Sequence, residues 1–232
     1  MLPYFVWNGI DSRDAGIRVV SYPPIMRPPE RVKNVTIPGR SGALTLLEGD
    51  DIYDPYTRTM IVANQPGTEI GWATKFLRGA GWLILGNDPD FAYETRMQAQ
   101  LQMDKLYKGV WQGSVTLYTQ PLKRLAIPEK DIALTTTGTE IINPGAVASR
   151  PRILVTTTGD CSFGIGDESM AVTGCTSAFY YDCDTGLFTD TNDNIITTFT
   201  VAGDLTKIPV GKSEVYWSGA TSITITPRWR FV

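Results

Sequence analysis

The stretch that decides the fold is residues 93–119, which read YETRMQAQLQMDKLYKGVWQGSVTLYT. From Tyr93 onward, apolar or small side chains alternate with charged and amide side chains as far as Asp104. Such an alternation gives a strand one buried and one solvated face, which is typical of antiparallel sheets. The run is longer than an ordinary strand. It therefore predicts a bulge or a projecting hairpin, with a turn over residues 105–109 and a return strand over residues 110–119.

The composition of the chain changes near residue 130. Threonine occurs 9 times in residues 1–130 and 19 times in residues 131–232, and the formal charge is +2 in the first part and −5 in the second. Residues 125–130, at the boundary, contain a proline and read as a linker. We therefore predict a mainly β protein with two domains, 1–130 and 131–232.

The first part combines a strand, an extended arm and a helix. The strand, residues 4–7, is followed by Asn8-Gly9, a pair that favours a two-residue hairpin turn. Residues 21–50 begin with four prolines in ten residues, so they predict an extended arm that cannot lie in a central strand. Thr68 as a cap, followed by apolar residues at helical spacing up to Leu77, predicts a helix of about three turns.

The second part reads as short strands separated by turns that are rich in Gly, Asp, Asn and Ser. Several short strands at this spacing favour an antiparallel β-sandwich. The candidate strands are residues 152–156, 161–165, 178–182, 195–201, 214–217 and 222–226.

The composition excludes several classes of function. The chain contains no histidine, which removes Ser-His-Asp triads, Cys-His pairs and histidine-ligated zinc or haem. A net charge of −3 does not favour binding to nucleic acid or to an anionic membrane. No window approaches the ~20 consecutive apolar residues that a membrane-spanning helix requires. Cys161, Cys175 and Cys183 fit neither a metal motif nor a disulfide framework, so we expect buried free thiols. No catalytic residue, cofactor or metal ligand is predicted.

Four aspartates, Asp182, Asp184, Asp190 and Asp193, are spaced somewhat like the ligands of a calcium loop. Counted from Asp182, however, the glycine falls at position 5 and position 12 is an aspartate. An EF-hand loop has its glycine at position 6 and a glutamate at position 12. A turn is therefore the favoured interpretation of this segment.

Five short motifs occur in an order that is typical of one protein family. They are FVWNG (residues 5–9), GIRV (16–19), IPGRSG (37–42), INPG (142–145) and SRPRI (149–153). With the proline-containing arm, the helix, the strand pair and the linker between them, this order resembles the distal tail proteins (Dit) of long-tailed siphophages. The resemblance extends over nearly the whole chain.

The resemblance implies a fold and a place in the virion. The N-terminal domain would be a split β-barrel with one helix and a projecting arm, and its belt hairpin would join copies into a hexameric ring. The C-terminal domain would be a galectin-like β-sandwich. The ring would sit at the tail tip, between the major tail tube protein and the tail-tip hub or tail-associated lysin, and would dock receptor-binding proteins. Its channel would pass DNA without specific binding, and assembly would take place in the host cytoplasm.

We expect the ring contacts to involve exposed side chains of the arm and of the long hairpin. The candidates in the arm are Arg27, Arg31, Arg40 and Asp51, and those in the hairpin are Lys105, Tyr107 and Lys108.

Two other functions are compatible with the sequence. The sandwich could recognise a host-surface glycan by stacking sugars on Trp217 or Trp229, the two tryptophans of the second part. A carboxylate-based glycosidase is the third hypothesis, but it needs two carboxyl groups about 5–9 Å apart across a cleft. No feature of the sequence selects such a pair.

Overall fold

The computed structural model describes residues 3–47, 49, 51–68 and 70–232, apart from the side chains of residues 70, 72, 73 and 98–100. The chain divides into two compact units, the first ending at Ile127 and the second spanning Pro128–Phe231. Both are built from antiparallel strands. The helix of the first unit has only seven residues. Among the described residues, no helix is long and apolar enough to cross a membrane.

The first unit contains nine strands and one helix within the residues that are described. The strands are β1 (Phe5–Trp7), β2 (Ile10–Asp11), β3 (Ile17–Ser21), β4 (Val32–Thr36), β5 (Ala43–Leu47), β6 (Tyr56–Asn64), β7 (Gly79–Leu85), β8 (Asp88–Tyr107) and β9 (Val110–Leu125), and α1 (Ile70–Phe76) lies between β6 and β7. Seven of these strands form one sheet in the order β2-β1-β7-β8-β9-β6-β3, while β4 and β5 pair only with each other.

The seven-stranded sheet curls, so that the residues preceding β1, near one edge, approach β3 at the other edge. The backbone N–H of Val19 on β3 donates to the carbonyl oxygen of Pro3 at 3.4 Å. The Tyr22 hydroxyl accepts a hydrogen bond from the Tyr4 N–H and donates one to the Tyr4 carbonyl oxygen, each at 2.8 Å. The result is a half-barrel, as the family resemblance implied.

The hairpin predicted over residues 93–119 is confirmed, and it is longer than expected. β8 and β9 pair along almost their whole length, with a turn at Lys108-Gly109. The pairing slips between Gln98 and Gln102, which is the predicted irregularity. Bulges of this kind bend a strand and increase its twist, so these long strands can follow the curl of the sheet.

The helix is shorter than the sequence predicted. It spans seven residues, about two turns, instead of about three. The chain leaves the helix at Leu77, and Gly79, with φ of 88°, begins β7 two residues later. Phe76 and Leu77 are nevertheless buried in the core of this unit, as their spacing predicted.

Among the described side chains of the first unit, one charged residue is buried, and it is an arginine. Arg58 on β6 has only 3% of its surface exposed. Its guanidinium carbon lies 4.1 Å from the centre of the Tyr93 ring and 5.6 Å from that of Tyr56. No guanidinium nitrogen of Arg58 has an acceptor among the described atoms. Cation–π contacts therefore replace hydrogen bonds as the compensation for burying this charge.

The second unit contains eight strands within the described residues. They are β10 (Ile132–Leu134), β11 (Thr139–Asn143), β12 (Arg152–Ile165), β13 (Glu168–Thr173), β14 (Phe179–Asp182), β15 (Leu187–Thr189), β16 (Thr200–Asp204) and β17 (Gly211–Thr226). The long strands β12 and β17 pair with each other. β10 and β11 pair with β17, and β13 and β14 pair with β12. At the edges of the sheet, β15 pairs with β14 and β16 pairs with β13.

Each long strand replaces two of the predicted short ones. The sequence predicted two strands in place of each, because the Gly, Asp and Ser residues between the apolar runs were interpreted as turns. In the structure the pairing of the two strands shifts between Thr157 and Ser162. The Thr157 hydroxyl donates towards the carbonyl oxygens of Gly159 and Gly219, at 2.7 and 2.9 Å. The strands bend at this point and continue, which is how a sheet turns a corner in a sandwich.

A single core fills the space between the two halves of this folded sheet. Phe163 from one half packs against Phe179 and Tyr181 from the other, with ring centres 6.4 Å apart in each pair. The three cysteines are buried here as free thiols, as expected from the sequence. The strand predicted over residues 195–201 is wrong, because the chain there forms an isolated bridge at Ile195 and joins the sheet only from Thr200 onward.

Candidate protein-interaction surfaces

The two sides of the arm are joined by hydrogen bonds at its base. At its base the N–H of Arg31 donates to the carbonyl oxygen of Ile52 at 2.9 Å, and the N–H of Asp54 donates to the carbonyl oxygen of Pro29 at 2.8 Å. The Arg31 guanidinium also pairs with the Asp54 carboxylate at 2.7 Å. These contacts join the residues that precede β4 to the residues that follow β5.

The outer part of the arm, the β4–β5 hairpin, exposes apolar side chains. Val35 lies opposite Leu44 in its register, and Leu46 follows on the same face. Leu44 and Leu46 are 40% and 46% exposed. No residue of this hairpin belongs to the buried cores of the described structure. Because an isolated two-stranded hairpin is only marginally stable in water, this face needs a covering surface.

The charged residues that the sequence predicts as ring contacts in the arm lie at its base and in its outer turn. Arg27 pairs with Glu30 at 2.7 Å, and Arg31 pairs with Asp54, so both help to form the base of the arm. Arg40 lies in the exposed turn between β4 and β5. The leucines of β5 were missed, although their spacing in ALTLL (residues 43–47) places two of them on one face of an exposed strand.

Asp51 lies beside an open cavity at the base of the arm. Its φ of 58° places it in the left-handed region, where aspartate is tolerated. The cavity has a volume of about 330 Å³ and combines two carboxylates with apolar walls. It is lined by Glu30, Leu47, Gly49, Asp51, Ile52 and Tyr53.

The tip of the β8–β9 hairpin carries the three other predicted contact residues, two at the end of β8 and one in the turn. Tyr107 is 59% exposed, and its neighbour Leu106 is also exposed. The ammonium group of Lys105 lies 5.8 Å from the centre of the Trp111 ring, across the hairpin. Lys108 occupies the turn itself. The turn therefore presents two apolar side chains next to two cations.

Of the two tryptophans that were considered for glycan stacking, one is buried and the other is partly buried. Trp229 is only 6% exposed and belongs to the core of the second unit. Trp217 is partly buried and packs against the same core. Because a stacked sugar needs an accessible aromatic face, no observation on these residues supports glycan binding.

The aspartates of the calcium-like segment are engaged by arginines or by the backbone. Arg228 forms two hydrogen bonds with the Asp182 carboxylate, at 3.0 and 2.9 Å, and Arg230 approaches Asp184 at 3.0 Å. Asp190 accepts hydrogen bonds from the backbone N–H groups of Asn192 and Asn194. Among the described residues no group of three or more carboxylate or thiol ligands could hold a metal.

The electrostatics of Asp182 follow from this pairing. Burial by itself would raise the pKa of the carboxyl group, but the hydrogen bonds from Arg228 and from the backbone lower it by more. The pKa of Asp182 therefore lies below its ordinary value, and the carboxylate is charged at neutral pH. The pair fixes the end of β14 to the C-terminal segment.

Comparison with known proteins identifies the fold. No protein-family model and no curated protein matches the chain. Among solved structures, the half-barrel with its arm, followed by a β-sandwich, matches the architecture of a phage tail protein. That protein is SPP1 Dit (gp 19.1), presented as a paradigm of the hub adsorption apparatus in phages that infect Gram-positive bacteria. The match has a TM-score of 0.76, covers 100% of both chains and has 16% sequence identity. The resemblance stated from the sequence is therefore confirmed for the fold.

Proposed function

We propose that this chain is a structural component of a siphophage tail tip, a distal tail protein without catalytic activity. Six copies form a ring at the distal end of the tail tube, and the ring joins the tube to the tail-tip hub or tail-associated lysin. The proposal is carried by the fold match over the whole chain, taken together with an arm whose apolar face has no cover within the described part of the molecule.

In this proposal each arm lies against the neighbouring copy. Burying the exposed parts of Leu44, Leu46 and Val35 removes apolar surface from water, which drives association. A contact between an arm and a different surface of the next copy is head-to-tail, and such contacts close into a ring when the rotation per copy is a simple fraction of a full turn. The charged residues Arg40, Lys105 and Lys108 then lie at the edge of the contact.

The further partners of the ring follow from the same position in the virion. One face meets the major tail tube protein, the other meets the hub, and receptor-binding proteins dock on the outside. The channel passes DNA, and the net charge of −3 disfavours tight binding of DNA to the protein. The ring assembles in the cytoplasm of the host bacterium before it becomes part of the virion.

Light scattering coupled to size-exclusion chromatography tests the ring and the role of the arm. We expect wild-type protein to have the mass of six chains at high concentration. The double variant Leu44→Asp/Leu46→Asp places two charges on the apolar face, and we expect it to be a monomer with unchanged thermal unfolding.

The matched control carries the same two charges on the opposite face of the hairpin. It is the double variant Asn34→Asp/Thr36→Asp. The carboxylate introduced at position 34 can still accept the hydrogen bond that the Thr45 hydroxyl donates to the Asn34 side chain at 2.7 Å. We expect this variant to assemble like the wild type. A wild-type chain that stays monomeric at every concentration, or a leucine variant that assembles as well as the control, would refute the proposed arm contact.

A further inference from the structure

Two of the three cysteines lie next to each other in the core of the second unit. Cys161 on β12 is directly opposite Val172 on β13. The Cys175 thiol donates to the carbonyl oxygen of the same Val172, at 3.7 Å. The fold therefore brings together two thiols that are 14 residues apart in the chain.

The backbone segments that carry the two thiols are held together by a separate contact. The N–H of Gly174 donates to the Asp160 carboxylate at 2.7 Å. These residues immediately precede Cys175 and Cys161. A disulfide requires the two backbone segments to approach within a few ångströms, with the side chains directed at each other, and the Asp160–Gly174 contact supports that approach.

We propose that Cys161 and Cys175 are a latent disulfide, which closes within the folded chain when it meets a small-molecule disulfide such as oxidised glutathione. One protein thiolate attacks the oxidant, forms a mixed disulfide and releases one molecule of glutathione thiolate. The second protein thiolate then attacks the protein sulfur of the mixed disulfide and releases the other. The two protein thiols lose two protons and two electrons, and one oxidised glutathione becomes two reduced molecules.

Cys175 is placed to react first. It lies in a turn whose other residues, among them Gly174 and Thr176, are exposed, so a local opening of this turn suffices to bring its thiol to solvent. Cys161 lies within a paired strand. Burial raises the pKa of Cys175 and raises that of Cys161 to about 12. Since the thiolate is the attacking species, closure is slow at neutral pH and becomes faster as the pH rises.

The bond would tie strand β12 to the turn that follows β13. It closes a loop of about 15 residues, and cross-links of that size stabilise mainly by restricting the unfolded chain. For a unit of this size we expect the midpoint of thermal unfolding to rise by on the order of 10 °C on oxidation. Neither the bond nor its effect depends on ring assembly.

Cys183 provides the matched control. It is buried, but the charges that act on its thiol are those of Asp182, Glu168, Arg228 and Asp204, and no cysteine is among them. Its N–H donates to the carbonyl oxygen of Pro151 at 3.0 Å, at the residue that precedes β12. We therefore expect Cys183 to remain a free thiol under conditions that join the other two.

The test is to incubate the folded full chain with oxidised glutathione and to weigh it by mass spectrometry. We expect wild type and Cys183→Ala to lose the mass of two hydrogen atoms per chain, and we expect reduction to restore it. Cys175→Ala should not show this loss. Digestion of wild type without reduction should yield a peptide pair joined through Cys161 and Cys175, which tests the proposal even if a variant fails to fold.

Three results would overturn the proposal. They are two free thiols remaining in oxidised Cys183→Ala, a cross-link that includes Cys183 or joins two chains, and a stable glutathione adduct in place of the internal bond.

Discussion

The β4–β5 hairpin and the β8–β9 hairpin belong to the same unit, but the first exposes apolar side chains that the second buries. β9 buries Val115 and Leu117 completely, or nearly so, between its neighbours in the sheet. β5 leaves Leu44 and Leu46 exposed and has only β4 as a neighbour. One hairpin is therefore stabilised by its own chain, whereas the other has an apolar face that belongs to neither buried core of the described structure.

The largest difference is expected when one leucine is shortened in each hairpin. Leu117→Ala removes a fully buried side chain and leaves a cavity, so we expect the free energy of unfolding of the monomer to fall by about 3–4 kcal/mol. Leu46→Ala removes a half-exposed side chain and should cost less than about 1 kcal/mol. Urea unfolding of the two variants measures both values. Equal costs would mean that the arm is packed within the monomer.

A second comparison uses one glycine in each hairpin. An added Cβ at Gly113 on β9 would lie 2.2 Å from the backbone oxygen of Gln102, so Gly113→Ala forces the paired strands apart. We expect a loss of about 2 kcal/mol. At Gly42, in the turn of the arm, nothing lies within 4 Å and only the φ of 83° opposes a side chain. Gly42→Ala should therefore cost about 1 kcal/mol. Urea unfolding measures both costs, and the reverse order would contradict the expected difference between the two hairpins.

Ion pairs extend the comparison from the arm to the second unit. The Arg228–Asp182 side chains are 24% and 22% exposed, whereas those of Arg31–Asp54 are 44% and 45% exposed. Because the pKa of Asp182 is lowered in the folded chain, its contribution is present above the ordinary pKa of an aspartate, about 4, and is lost as the pH falls through the lower folded value. We expect Asp182→Asn to cost about 1–2 kcal/mol at pH 7 and progressively less as the carboxyl group is protonated on acidification.

Asp54→Asn serves as the exposed control, with an expected cost below about 1 kcal/mol at pH 7. Urea unfolding at a series of pH values separates the two variants. If the difference between wild type and Asp182→Asn did not shrink on acidification, the stabilising role of the charged carboxylate would be wrong.

The smallest effect is expected at Arg58, the charge buried in the sheet. Arg58→Met keeps the volume of the side chain and removes guanidinium groups that have no acceptor among the described atoms. The loss of the contacts with Tyr93 and Tyr56 offsets part of this gain. We expect the free energy of unfolding to stay constant or to rise by up to about 1 kcal/mol. A marked loss of stability in calorimetry would show that the guanidinium has a stronger partner.

The difference between residues that are packed within the chain and residues that are left exposed also explains how much of the fold could be predicted from the sequence. The alternation that begins at Tyr93 predicted β8 because one face of that strand is buried by its own chain. The Asn8-Gly9 turn was equally local, and both residues have positive φ, 50° and 81°. The continuity of β12 and β17 could not be predicted, since the bend at Thr157 depends on the carbonyl oxygen of Gly219, which is 62 residues away.

The candidate contact residues were harder to predict than the fold. Charge and position drew attention to Arg27 and Arg31, which form ion pairs at the base of the arm, and their part in ring contacts stays a prediction. The exposed leucines look like core residues in the sequence. Only the absence of a third strand beside β4 and β5 in the described structure identifies Leu44 and Leu46 as surface residues.

Hydrogen–deuterium exchange on the monomer and on the assembled ring tests the central claim most directly. We expect the amides of residues 32–47 to exchange rapidly in the monomer and to become protected in the ring, while those of Tyr56–Asn64 in the sheet are protected in both. If a ring forms and the arm exchanges as fast as it does in the monomer, the arm does not hold the copies together, and the account is contradicted.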